Sequence, residues 1–268
     1  MKNYSRKLIS LLESADNRIS ELSSLLGSRF PSFVQLLKGN IHDTKTQAAI
    51  LSGLEDGQVK DDIMSVATIN IPVSNLVSTQ SEIDIKQSLF YPLTDVGTLT
   101  KCLNGSGVTI KGPIISFRKK YIIDGHHRWS QIYVINPKAT ILSIDLTLGT
   151  VSPLKVLYAV QMAIAAKVKN VPIASVEGTN LFKASKSNVI NFVKSTIKPE
   201  AANLFISYKV VNDTSEIPEF IWSNVELMRS TSRPISSAPD RNHMPQTDEA
   251  PGWTSNLERG LINWNDPL

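Results

Sequence analysis

The run Tyr121-Ile122-Ile123-Asp124-Gly125-His126-His127-Arg128-Trp129 constrains the fold more than any other stretch of the chain. A β-preferring segment meets an Asp-Gly turn, and the sequence beyond it, Trp129-Ser130-Gln131-Ile132-Tyr133, has helical character. A strand that turns directly into a helix presents the helix's first backbone N–H groups, which lack intrahelical partners and carry the positive end of the macrodipole. Such an end is a ready anion site. Gly125 permits a sharp bend and a close approach of backbone to ligand, and Arg128 offers a fork for phosphate oxygens. His126 and His127 add donors, or acid and base groups, near neutral pH. A plainer account stands beside each: Asp-Gly is turn chemistry in its own right, the arginine can serve a structural ion pair, and either histidine can cap or pack.

The flanking sequence supplies a mixed set of elements. Over residues 1–65 the pattern is helical. Leu8, Leu12, Ala15, Ile19, Leu22 and Leu26 form a narrow apolar seam ended by Gly27. Short helices are expected over Phe33–Leu37 and from an Asp43/Thr44 cap to about Leu54. From residue 66 the period changes to two. Val66–Ile71 is a strand closed by Pro72, Thr79–Asp84 a polar connection, and Thr98–Leu103 a short helix stopped by Asn104-Gly105. Pro113–Phe117 and Tyr121–Ile123 make a hairpin across Arg118-Lys119-Lys120, and Thr140–Leu146 is a further strand. Helices follow over Pro153–Lys169 and Ser187–Thr196, with a last strand over Phe205–Val211.

Charge is distributed unevenly. Residues 101–211 carry 15 Lys/Arg against 4 Asp/Glu, a net of +11, whereas the net is −2 over 1–100 and −5 over 212–268. The segment holding the Gly-His-His-Arg turn is therefore the basic one, as suits phosphates or a nucleic-acid backbone, although solvated lysines on helix faces give the same tally. One cysteine, Cys102, excludes an internal disulfide framework and a Cys-rich zinc module. The longest apolar stretch, Val156–Ala166, is interrupted by Gln161 and is too short for a bilayer, so no membrane partner is expected. The opening residues lack the pattern of a secretory leader, and a cytoplasmic protein is expected.

Residues 212–268 show no sustained period. They hold six of the 14 prolines and three of the four tryptophans, Trp222, Trp253 and Trp264. A Pro-rich segment carrying indoles suggests an extended arm, 212–268, that docks on its own domain or on a partner.

The order strand, Gln-containing loop, short helix, hairpin, Gly-X-X-Arg turn, helix, strand, helix resembles the ParB/sulfiredoxin-like family over roughly Val66–Lys169. Ile71-Pro72-Val73-Ser74-Asn75-Leu76 with Thr79-Gln80 is similar to that family's first motif. Asp124-Gly125-His126-His127-Arg128 is similar to its phosphate-binding motif, in the form found in the branch that includes free-serine kinases. Ser152-Pro153-Leu154 resembles the segment after the ParB nucleotide pocket. In overall style the chain also looks like ParB-like proteins of bacteriophages, crAss-like ones among them.

The resemblance implies an α+β fold with a small mixed sheet and flanking helices over 66–211. It also implies ATP, ADP or CTP at the turn, with Mg²⁺ as a candidate companion, and kinase, ATPase or nuclease activity as candidates. Gly125, His126, His127, Arg128 and Gln80 would contact the nucleotide. Asp124, His126, His127 and Glu82 would be the candidate catalytic groups, with Asp84 a further nearby carboxylate. The chain departs from the family at two points. His126 stands where sulfiredoxins carry a reactive cysteine, and Thr147-Leu148-Gly149-Thr150 stands where ParB clamps carry an acidic motif. Sulfiredoxin chemistry and a metal-dependent clamp are thereby put in doubt, and no metal ligands are assigned. Arg118, Lys119 and Lys120 are candidates for DNA contact, a solvated hairpin tip being the alternative. The competing expectation is a non-catalytic assembly component. Its N-terminal helices and C-terminal arm would bind phage structural proteins or a second copy, in the host cytoplasm or the virion.

Overall fold

A computed structural model describes residues 33–40, 44–149, 151–168 and 179–240. The Leu8–Leu26 seam, Asp43 and the arm beyond residue 240, with Trp253 and Trp264, lie outside the described residues.

The described chain begins with helices α1 (Phe33–Asn40), α2 (Thr44–Leu51) and α3 (Val59–Asp62). Strand β1 (Ser65–Pro72) follows, then a 3-10 turn and the short strand β2 (Val77–Ser78). Next come α4 (Ile85–Thr94), α5 (Val96–Asn104) and the hairpin of β3 (Ile114–Phe117) and β4 (Tyr121–Asp124). Helix α6 (His126–Ile135), strand β5 (Thr140–Thr147) and helix α7 (Pro153–Val168) complete the α+β unit. Helices α8 (Lys186–Thr196), α9 (Pro199–Ser207) and α10 (Ile217–Thr231) close the described chain.

The five strands form one mixed sheet in the order β1-β5-β3-β4-β2. β1 with β5 and β3 with β4 are antiparallel, whereas β3 with β5 and β2 with β4 are parallel. The sheet is covered on both faces, and the alternation of side chains along β4 explains how. Ile122 enters a core shared with α4, α5, α6, α8, α9 and α10. Its neighbours Tyr121 and Ile123 enter the opposite core, with α1, α2 and α7. A strand buried on both sides needs a continuous apolar run, and Tyr121-Ile122-Ile123 is one. Trp129, fully buried, donates its indole N–H to the Val73 carbonyl at 2.9 Å and meets Tyr133 edge-on, so it packs beneath the turn.

Two expectations are corrected, and one helix is added. Phe205–Val211 is not a strand: Phe205 lies in α9, where Pro199 pre-sets the first turn and Ala201, Ala202 and Phe205 face the core. Residues 217–231, expected within an extended arm, form α10. Ile217, Ile221, Val225 and Met228 fall on one helical stripe, and Pro218 sits in the first turn, where proline is tolerated. Trp222 accordingly packs in the core under the Arg229 guanidinium, 5.0 Å from the ring centroid. Finally, α4 occupies residues that the sequence reading passed over. Asp84 caps it, and its Pro92 lies past the first turn, where its ring disfavours the helix.

Candidate functional site

The site is built where two parallel strands end. β2 and β4 run side by side, Val77 opposite Tyr121 and Ser78 opposite Ile122, so the chain leaves both at the same edge. From β4 it turns through Gly125 into α6, and from β2 it enters the loop Thr79–Asp84 that leads into α4. The Asp84 amide meets the His127 ring, and Ser88 Oγ lies 2.8 Å from Ser130 Oγ, so α4 and α6 start together and run in the same direction. Their macrodipoles therefore reinforce each other at that end.

Both histidines hold the 79–84 loop. The Thr79 N–H donates to His126 Nε2 at 3.3 Å, and the Asp84 N–H donates to His127 Nε2 at 3.2 Å. Each of these bonds uses Nε2 of its imidazole as the acceptor. His126 is buried, and His127 is half-buried. Thr79 adds a bond from its hydroxyl to the Ile122 carbonyl, tying the loop to β4.

Arg128 stands differently from the expectation of a phosphate fork. Its Nη2 pairs with Asp124 Oδ2 at 2.7 Å and its Nη1 donates to the Pro113 carbonyl at 2.8 Å. Side-chain exposure of 12% for Arg128 and 25% for Asp124 marks a largely sheltered pair. The other Asp124 oxygen accepts from Gln161 Nε2 at 3.2 Å, and that same nitrogen donates to the Ile123 carbonyl at 2.8 Å. Asp124 is thus held as an acceptor at the turn. The guanidinium folds back over Gly125, whose φ is +93°. A Cβ there would lie 2.6 Å from Ile114 Cγ2 and 2.8 Å from Arg128 Nη2. The close approach that demands glycine at 125 is therefore made by the chain's own arginine and isoleucine.

Gln80 is 2% exposed, and its side-chain amide nitrogen has no hydrogen-bond acceptor among the described residues. A buried donor left without a partner is unfavourable by roughly 1–3 kcal/mol. Glu82 is half-buried on the same loop. Sequence reasoning missed Asn180, whose Oδ1 accepts from the amides of Ile83 and Phe182 while its Nδ2 donates to the Ser81 carbonyl. It also gave Gln161 no role, although a lone glutamine inside an apolar helix is the mark of a buried polar contact.

The hairpin tip lies at the opposite end of β4 from the Gly125 turn. Arg118 and Lys119 take left-handed backbone angles there. The Arg118 guanidinium donates to the carbonyls of Leu148 and Gly149 and stacks on Phe117, and Lys120 sits over Tyr121. Lys119 is exposed, and its amide donates to the buried Asp145 carboxylate at 2.7 Å. Arg118 is therefore a structural brace of the tip, not an open phosphate contact. Among the described residues no group of three or more His, Cys, Asp or Glu is placed to hold a metal ion, and no helix is long and apolar enough to cross a membrane.

No family model, curated protein or solved structure matches the chain.

Proposed function

We propose that the protein binds a nucleoside di- or triphosphate, ATP, ADP or CTP, with the phosphates at the joint start of α4 and α6. The observation that carries this reading is the buried Gln80 amide, a donor without an acceptor, beside two helix N-termini at the ends of parallel strands. Oxyanions supply acceptors and suit that end of a helix pair. Within this reading, Arg128 shapes the turn through Asp124 rather than touching phosphate, and His126 and His127 position the loop that carries Gln80. Glu82 would be the carboxylate that activates an acceptor hydroxyl, as phosphoryl transfer requires. Coupling to phosphoryl transfer or nucleic-acid processing is the activity this arrangement would serve.

The test is a thermal-shift and calorimetric titration with ATP, ADP and CTP, with and without Mg²⁺, on the full chain and on Gln80→Ala. Stabilisation by at least one nucleotide, weakened about tenfold in affinity by Gln80→Ala, supports the reading. No stabilisation by any of them rejects it. The assembly reading draws on the C-terminal arm, 212–268, of which 217–231 form α10 and the described residues after it, 232–240, lie against the core through Ile235.

A further inference from the structure

Ser78 ends the edge strand β2 and Thr79 and Gln80 follow it, yet all three are buried. A loop leaving a sheet edge is ordinarily wet, so something covers it. The cover is the chain just past α10. The Ile235 N–H donates to the Ser78 carbonyl and the Ser81 N–H donates to the Pro239 carbonyl, each at 3.1 Å. The two bonds bracket Thr79 and Gln80, and the strap runs along them in the same chain direction. At its far end Ser81 Oγ donates to the Asp240 carboxylate, while the half-buried Ile235 packs against the core that α1, α2 and α7 share. The strap holds this place with few bonds. Pro234 and Pro239 bring no N–H of their own, and within the strap the Ala238 N–H donates to the Ile235 carbonyl at 3.0 Å.

We propose that residues 233–240 are a displaceable latch over the Gln80 loop, and that Asp240 is its anionic catch. This inference rests on the nucleotide reading, because what it regulates is access to that site. A carboxylate bonded to Ser81 stands one residue along the loop from the Gln80 donor, which has no acceptor among the described residues. An incoming phosphate meets that negative charge, and a nucleotide reaching Gln80 has to lift the strap. Release breaks the bonds at Ser78 and Ser81 without unwinding α10, which ends at Thr231. The latch thus lowers apparent affinity by the fraction of molecules in which it is closed.

The experiment compares the full chain with Ser81→Ala/Asp240→Ala, and with Asp240→Asn as a variant that removes charge while keeping an acceptor. Hydrogen exchange is followed at residues 78–81 and 233–240 without ligand, and the affinity for ATP and CTP is measured by calorimetry. The expected result is exchange at the Ser81 and Ile235 amides faster by about tenfold in the double variant, the factor for roughly one hydrogen bond, with tighter nucleotide binding by a similar factor. Asp240→Asn should tighten binding with less change in exchange. Unchanged exchange at both amides overturns the latch, as does a nucleotide that binds the wild-type chain and binds the loosened chain no more tightly. If neither chain binds ATP or CTP while exchange in the strap has risen, the nucleotide site itself is rejected, and the gate with it.

Discussion

Substituting Gly125 by alanine separates two reasons for a glycine at this bend. If the residue were needed only to let a ligand approach the backbone, the ligand-free protein would tolerate a methyl group. The structure says otherwise. The φ of +93° places an L side chain in a region that costs roughly 1–2 kcal/mol for a residue with a Cβ. The new methyl would also stand 2.6 Å from Ile114 Cγ2 and 2.8 and 3.0 Å from two guanidinium nitrogens of Arg128. Relieving that overlap means shifting a buried isoleucine or lifting the guanidinium from Asp124, and overpacking of this kind costs about 1–3 kcal/mol. Alanine also restricts the unfolded chain, which returns roughly 0.4–1 kcal/mol. The net expectation is a loss of about 2–4 kcal/mol. Urea unfolding of the ligand-free protein, followed by far-UV circular dichroism, measures it. With a slope of about 2 kcal/mol/M, the midpoint should fall by roughly 1–2 M. The double variant Gly125→Ala/Arg128→Ala should lose less than the sum of the single changes, since removing the guanidinium removes half of the overlap. A loss below about 1 kcal/mol for Gly125→Ala, or strict additivity in the double variant, would refute the packing argument.

Other consequences can be measured in the same way. Arg128→Ala takes the paired cation away from the sheltered Asp124 carboxylate and should cost about 2–4 kcal/mol, whereas adding Asp124→Asn should recover part of that loss; denaturant titration of the cycle decides. Asp145→Ala strands the Ser116 hydroxyl and the Lys119 amide, which donate to it at 2.6 and 2.7 Å, and should destabilise the chain by about 2–3 kcal/mol with faster exchange confined to the hairpin tip. Burial pushes the Cys102 thiol up to about 12, so a thiol reagent at pH 8 should label the native chain only through opening, at a rate that rises with urea. Asp95 caps α5, and the Thr98 hydroxyl, with amides at Gly97 and Thr98, holds its carboxyl below its usual range. A depressed carboxylate contributes stability above its unfolded pKa and loses it as acid passes through the folded value. Asp95→Ala should therefore cost about 1 kcal/mol at pH 7 and progressively less below pH 4, a difference that vanishes only if the cap is silent.

Much of this protein is legible along the chain because the information is local. The hairpin, the Asp-Gly turn, the helix after it, β1 and β5, and the helices opening at Pro153 and near Ser187 each follow from period, caps and turn residues, and each forms. The bend at Gly125 belongs here too, since a strand running straight into a helix requires it. Residues 217–231 were legible in their stripe of Ile217, Ile221, Val225 and Met228, but proline content outweighed it. Pro218, at the helix start, does not oppose a helix. The partners of the side chains were decided only by the tertiary fold. No spacing shows that Gln161, 37 residues on, reaches Asp124, that Arg128 turns back to Pro113, or that the strap at 235–240 covers Gln80. The physical reason is that backbone geometry is set by neighbours within a turn or two, whereas a charge or amide takes whichever partner the packed sheet brings within about 3 Å.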